Sequence, residues 1–227
     1  MASMMQTPIT HVLLIMNCEK YIFKANYQKE TWLSNLPIPY FHVRGDKQLG
    51  KDYVVSLKNR TITVKTGDDY NSLPKKVIAA YQAALEIYPK LKYVFKTDDD
   101  QVLHVKSPGA FFSSLITMLE KDATTDSQIH YGGHIVNVRD PHYSMYYKIH
   151  PGLPTDLIVH RTRYCSGRFY FLSAAALRFL LEKRHCIEEE YLEDYAVGFH
   201  LDDKYKTGMK HIMTPILFKD MPGNVVA

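Results

Sequence analysis

No charge of one sign dominates this chain, in which 28 Lys and Arg stand against 24 Asp and Glu, a net +4 with a pI near 8.7. That balance excludes the strongly basic surface of a nucleic-acid binder; the small excess suits an anionic substrate. Cysteine is scarce. Its three residues, Cys18, Cys165 and Cys186, are odd in number and follow no metal-ligand spacing. Disulfides are therefore not expected, and the thiols point to a reducing, cytosolic setting. Long hydrophobic runs are absent as well. The early apolar stretch, residues 10–16, has no basic flank or small-residue cleavage site, and it is far too short to span a bilayer. We expect neither anchor nor membrane span, and the sequon Asn59-Arg60-Thr61 would matter only in a secreted protein. Internal repeats, low-complexity segments and a phosphate-gripping glycine loop are also missing.

What is present is enough apolar material for a sizeable core: 227 residues, 46% of them hydrophobic. This length favours one α/β domain over two, expected over residues 10–227 behind a loose tail at 1–9. Residues 11–16, 40–45 and 60–65 read as strands, with short strand character inside 46–59. Residues 22–33 read as a helix carrying the single tryptophan, Trp32, as a core anchor, and Pro37 and Pro39 close it. Residues 73–88 read as a second helix, with Pro74 in its first turn and apolar positions recurring at helical spacing. Asp68 and Asp69 supply turn and N-cap candidates ahead of it, and Lys76 is placed to reach a phosphate. Further on, 108–120 and 174–183 read as helices, 121–127 as a polar break, 131–136 as a strand, and 143–149 as a strand or ribbon. A small-residue turn, Tyr164-Cys165-Ser166-Gly167, feeds an aromatic strand, and Glu193-Asp194 opens another helix.

The centre of the pattern is Leu91-Lys92-Tyr93-Val94-Phe95-Lys96-Thr97-Asp98-Asp99-Asp100. Its first half is β-branched and aromatic, and it stops at three carboxylates. Adjacent Asp side chains repel one another unless something positive sits among them, and carboxylate oxygens are the ligands that Mg²⁺ and Mn²⁺ prefer. The carboxyl end of a strand in an open α/β sheet is also where ligands bind. Alone, such a run is more often a solvated turn. The motifs downstream reverse that reading.

In order, Asp68-Asp69-Tyr70 with Leu73 and Lys76, then Phe95-Lys96-Thr97-Asp98-Asp99-Asp100, then Tyr164-Cys165-Ser166-Gly167, then Glu193-Asp194 with Val197-Gly198 resemble the β-1,3-galactosyltransferase and Fringe-like glycosyltransferases. Glu30-Thr31-Trp32 and residues 41–45 look like the same family's opening elements. The resemblance covers roughly residues 10–201. It implies a glycosyltransferase-A fold, a Rossmann-like, mixed, mostly parallel sheet flanked by helices. It also implies metal-dependent, inverting transfer from a nucleotide-diphosphate sugar, with a UDP-sugar expected, to a glycan acceptor hydroxyl in β-1,3 linkage. Carried over residue by residue, Asp100 is the ligand of Mn²⁺ or Mg²⁺, Asp98 and Asp99 lie in the donor site with Asp68, Lys76 and Gly167, and Asp194 is the catalytic base. A C-terminal histidine serves as second metal ligand in the family; His211 is the candidate here and His200 the reserve. The chain departs from the family where Gly167 is followed by Arg168 rather than a second glycine. Two other classes fit an acidic strand end: a metal-dependent phosphoryl-transfer enzyme and a non-catalytic carbohydrate- or nucleotide-binding relative. The absence of a phosphate loop weighs against the first, and the presence of Asp194 against the second.

Overall fold

The computed structural model describes residues 8–122 and 128–221. Most of the expected tail and of the polar break at 121–127 lies outside the described residues. The sheet is built outward from β1 (His11–Met16), all of whose residues are buried. A strand covered on both faces reads as an unbroken apolar run rather than an alternating one, and Val12-Leu13-Leu14-Ile15-Met16 is such a run. From there the chain passes through α1 (Ile22–Gln28), β2 (Tyr40–Gly45), the antiparallel pair β3 (Tyr53–Ser56) and β4 (Thr61–Val64), and α2 (Leu73–Ile87). β5 (Tyr93–Asp98) and β6 (Gln101–Leu103) flank the acidic turn. Next come α3 (Pro108–Asp122), β7 (Tyr131–Val138), the two-residue strands β8 (His142–Tyr143) and β9 (Ile158–Val159), and the long β10 (Thr162–Ser173). The described chain closes with α4 (Ala174–Glu182), α5 (Arg184–Glu188), α6 (Glu193–His200), α7 (Asp203–Lys206), β11 (Lys210–His211), α8 (Thr214–Leu217) and β12 (Phe218–Asp220).

Eight strands form one mixed sheet in the order β11-β7-β10-β5-β1-β2-β4-β3. β1 is parallel to β2 and β5, β2 to β4, and β7 to β11; β10 runs antiparallel to both β5 and β7. Alternation along β1 sends Val12, Leu14 and Met16 to a core with Val77, Ile78 and Tyr81 of α2 and Leu177 of α4. Leu13 and Ile15 face the other core, with Phe95, Phe112 of α3, and Trp32, whose ring stacks on Phe112. Helices thus cover both faces, leaving the carboxyl ends of β1, β2 and β5 as one open edge.

Three local expectations change. The helix over 22–33 is α-helical only to Gln28 and turns π-helical over Lys29–Leu33, a distortion frequent beside functional sites. The turn expected at 164–167 is an irregularity inside the continuous strand β10, whose pairing with β7 shifts register between Cys165 and Tyr170. Within 143–149 the ribbon shrinks to the end of β8 and a 3-10 turn at Tyr146–Lys148.

Candidate active site

The three consecutive carboxylates diverge. Alternation along β5 points Tyr93, Phe95 and Thr97 to one face and Val94, Lys96 and Asp98 to the other, so Asp98 folds back onto its own strand and accepts from Lys96 Nζ at 2.7 Å. Asp99 is buried; it accepts from Asn17 Nδ2 at 2.8 Å and faces Lys24 Nζ at 3.5 Å. Burial above all pushes its pKa up to about 7, against the pull of Lys24. Asp100 accepts from the Gln101 side-chain amide at 2.8 Å. The turn itself is pinned by Gln28, fully buried, which donates to the carbonyls of Asp98 at 3.1 Å and Gln101 at 2.8 Å and contacts His42 Nε2 at 3.0 Å through its own carbonyl. Gln28 ends the α-helical stretch, so the π turn begins where the helix grips the acidic loop.

Lys96 is the hub. Its side chain is fully buried, and its three ammonium protons have three acceptors: Asp98 at 2.7 Å, Glu193 Oε2 at 2.7 Å and the Gly167 carbonyl at 3.1 Å. Burial opposes its charge, but Asp98 and Glu193 more than offset this and hold the ammonium protonated well above the ordinary lysine range. Glu193 also accepts a short hydrogen bond from Tyr170 OH, which meets Tyr81 OH at 2.5 Å. Asp98 is about one third exposed; burial and the neighbouring Glu193 and Asp100 push it up to about 6 against Lys96.

Asp194 stands beside this hub in the first turn of α6. Its two oxygens accept from the backbone N–H groups of Gly167 at 2.9 Å and Tyr195 at 2.8 Å, and burial raises its pKa above the usual carboxylate range despite Lys96 and these two donors. A methyl at Gly167 would lie 3.3 Å from Asp98 Oδ2, 3.4 Å from Lys96 Nζ and 3.5 Å from Asp194 Oδ2, so this glycine marks where strand end and helix start converge. At Gly198 an added Cβ would meet Tyr164 Cβ at 2.2 Å and Cα at 2.7 Å. Gly198→Ala must lift α6 from β10; we expect it to cost about 1–3 kcal/mol by overpacking. Thermal and urea unfolding of that variant check this, and wild-type stability would contradict it.

The remaining sequence candidates do not join this cluster. Lys76 is buried, donating to Asp68 at 2.6 Å and to the Asn17 carbonyl at 2.8 Å; Asp68 also accepts from Gly45 N at 2.6 Å and Glu19 N at 2.7 Å. The pair fastens the loops after β1, β2 and β4 together. His211 is exposed on the edge strand beside His134, their rings 5.3 Å apart. Three strand spacings of about 4.8 Å keep it roughly 14 Å from β5. His200 pairs with Glu190 at 2.9 Å at the far end of α6.

The sequence model of the galactosyltransferase family matches residues 56–212. The chain belongs to the galactosyltransferase family. It is therefore a glycosyltransferase, and the matched span takes in Asp98, Asp99, Asp100, Gly167 and Asp194. No curated protein sequence is significantly similar to it. Among solved structures, a glycosyltransferase involved in glycosylation of the major capsid of PBCV-1 superposes with a TM-score of 0.53 at 13% identity, over 94% of this chain and 95% of that one. The likeness shows a shared glycosyltransferase fold. The 4-diphosphocytidyl-2C-methyl-D-erythritol synthase of Anaerococcus prevotii gives a TM-score of 0.48 at 9% identity, over 90% and 86% of the two chains.

The sequence resemblance implies a divalent cation, and the acidic turn offers hard oxygen donors that suit one. Pairing of β12 with β6 sets Asp220 opposite Gln101. The same Gln101 amide nitrogen that donates to Asp100 at 2.8 Å donates to Asp220 at 3.0 Å, so two carboxylates face one another across a single positive dipole. Arg168, the residue that departs from the family pattern, bonds Asp220 at 2.9 Å and the Gln101 side-chain carbonyl at 2.7 Å. Two hard oxygen ligands are what Mg²⁺ takes from a protein when substrate phosphates and water supply the rest. Among the described residues no group of three or more His, Cys, Asp and Glu is disposed to hold a metal, and no helix is long and apolar enough to cross a membrane.

Proposed function

We propose that this enzyme moves a sugar from a UDP-sugar to a hydroxyl of a glycan acceptor, inverting the anomeric carbon and forming a β-1,3 linkage, with Mn²⁺ or Mg²⁺ bound by Asp100 and Asp220. The observation that carries this reading is the convergence of Asp98, Lys96 and Asp194 on Gly167, which sets a donor-side strand end against a candidate base. The bound cation would neutralise the departing diphosphate as a Lewis acid. Asp98, partly open to solvent, accepts from hydroxyls of the donor sugar. Asp194 takes the proton of the acceptor hydroxyl as its oxygen attacks in line; the anomeric carbon–oxygen bond to the diphosphate breaks on the opposite side, and its electron pair leaves with UDP. Because burial raises Asp194, it is a stronger proton acceptor than an ordinary carboxylate. Glu193, held by Lys96 and Tyr170, orients the start of α6 rather than reacting.

Calorimetric titration of UDP, GDP and their sugars, with and without Mn²⁺, tests the donor half. We expect UDP binding that requires the metal and is lost in Asp100→Ala. No binding of either nucleotide would overturn the donor reading. Wild-type, metal-dependent affinity in the variant would remove Asp100 from the metal site.

A further inference from the structure

We infer that the acceptor of this enzyme is a glycoside with an apolar, chain-like aglycone, bound in a cleft beside Asp194; this rests on the transferase reading above. A cavity of about 630 Å³ opens where β7, β8 and the segment after β8 meet β10 and the approach to α6. Its size is that of a small-molecule site. Val138, Tyr143, Met145, Tyr146, Ile149 and Tyr164 supply most of its apolar lining, beside the charged Arg139 and Asp140. Four of these lie within seven residues and are strongly exposed: Tyr143 at 62%, Met145 and Ile149 at 53%, Tyr146 at 47%. Exposed apolar side chains grouped in this way mark a surface that something covers.

The cleft lies close to the candidate base: Leu192, two residues before Asp194, is part of its lining. The Tyr164 ring meets Tyr195, the residue after Asp194, edge-on at 6.0 Å, and its phenol is raised by burial and then by the negative charge of Asp194. The wall is also fastened. Ser144 N donates to the Leu157 carbonyl at 2.8 Å, Tyr70 stacks on His150 at 3.7 Å, and Asn71 donates to the Gly152 carbonyl at 3.2 Å, tying the far side of the segment to the start of α2.

A sugar can find hydrogen bonds at the polar part of this lining, Asn137, Arg139 and Asp140, but it would leave Val138, Met145 and Ile149 without a partner of their own kind. A chain attached to that sugar would cover them and gain by leaving water. With the acceptor sugar at Asp194, the aglycone runs outward along the segment 143–149. The cleft is concave and opens beside the base, which favours a small chain over a second protein surface.

The test compares methyl and octyl β-glycosides of galactose, glucose and N-acetylglucosamine, each below its micellar concentration, titrated into the protein with Mn²⁺ and UDP present. For the sugar that binds, the octyl form is expected to bind at least tenfold more tightly than the methyl form. That ratio should fall to within twofold in a Tyr143→Ser, Met145→Ser double variant. Both side chains are exposed, so the double variant should melt as the wild type does. Equal binding of methyl and octyl forms overturns the inference, as does a ratio that survives the double substitution. A concentration-dependent dimer in sedimentation, abolished by the same double variant, would assign the patch to a second copy of the chain and likewise overturn it. UDP binding measured in the same samples separates the two readings. Metal-dependent UDP binding without an octyl preference leaves the donor site standing and removes only the aglycone, whereas no UDP binding removes both.

Discussion

Asp194→Asn is expected to slow sugar transfer by about 10²–10⁴-fold, the range that a positioned general base contributes, while leaving metal-dependent UDP binding within twofold of wild type. Both Asp194 oxygens accept from backbone N–H groups, of Gly167 and Tyr195. An asparagine can satisfy only one of them with its carbonyl and turns its own N–H₂ toward the other, so the variant should also lose some stability, and its melting temperature must be measured beside its rate. The pH profile separates a base from a brace. Burial raises Asp194 in the folded protein, and a base works deprotonated, so wild-type kcat/KM should fall with decreasing pH through a limb above the ordinary Asp value of about 3.9. That limb should flatten in the variant's residual activity. Transfer within tenfold of wild type, or an unchanged acid limb, would take the base role from Asp194.

The parts of this site that were legible in the sequence are those whose chemistry is local. The run Tyr93-Val94-Phe95-Lys96-Thr97 followed by three Asp declares a buried strand with an acidic end, and Glu193-Asp194 before an apolar stretch declares a helix start. Both elements formed as expected, and the motif order named the family that the sequence model also matches. What was hidden depends on distant pairing. Gln28 is an unremarkable helical residue until the fold sets its amide against two carbonyls 70 and 73 positions away. Asp220 gains significance only because β12 pairs with β6. Lys76 reads as a cation placed to reach a phosphate, yet the fold buries it against Asp68. Lys96 was readable but missed: period two along β5 puts it on the same face as Asp98, and a lysine among apolar strand residues must find carboxylates. The same alternation fixes Asp98 beside Lys96, and the turn that follows sends Asp99 to Asn17 and Asp100 to Gln101.

Lys96→Met is expected to be the most damaging single substitution in the site for stability, at about 3–5 kcal/mol, because it leaves a buried charge network without its cation. Methionine matches the length of the stem and fills the space, so the loss isolates the ammonium rather than a cavity. Three acceptors are stranded: Asp98, Glu193 and the Gly167 carbonyl. Glu193 is nearly fully buried and, among the described residues, keeps Tyr170 as its side-chain donor. The sign of the pH dependence follows. Lys96 is raised in the folded wild type, so its contribution is fully present below the unfolded lysine value of about 10.4 and is lost only as pH rises through the still higher folded value. Near neutrality the wild type therefore draws no pH slope from it. In the variant, Asp98 and Glu193 lose their counter-ion and take up protons more readily folded than unfolded, so its stability should rise as pH falls toward the ordinary carboxylate values. Adding Glu193→Gln to Lys96→Met should recover part of the loss, since the double variant buries one charge fewer. Urea unfolding at several pH values checks all three statements. A single variant within about 1 kcal/mol of wild type and without a pH slope would show that the strand end and α6 are joined by packing alone, and that the ammonium does not hold the donor side of the site to its base.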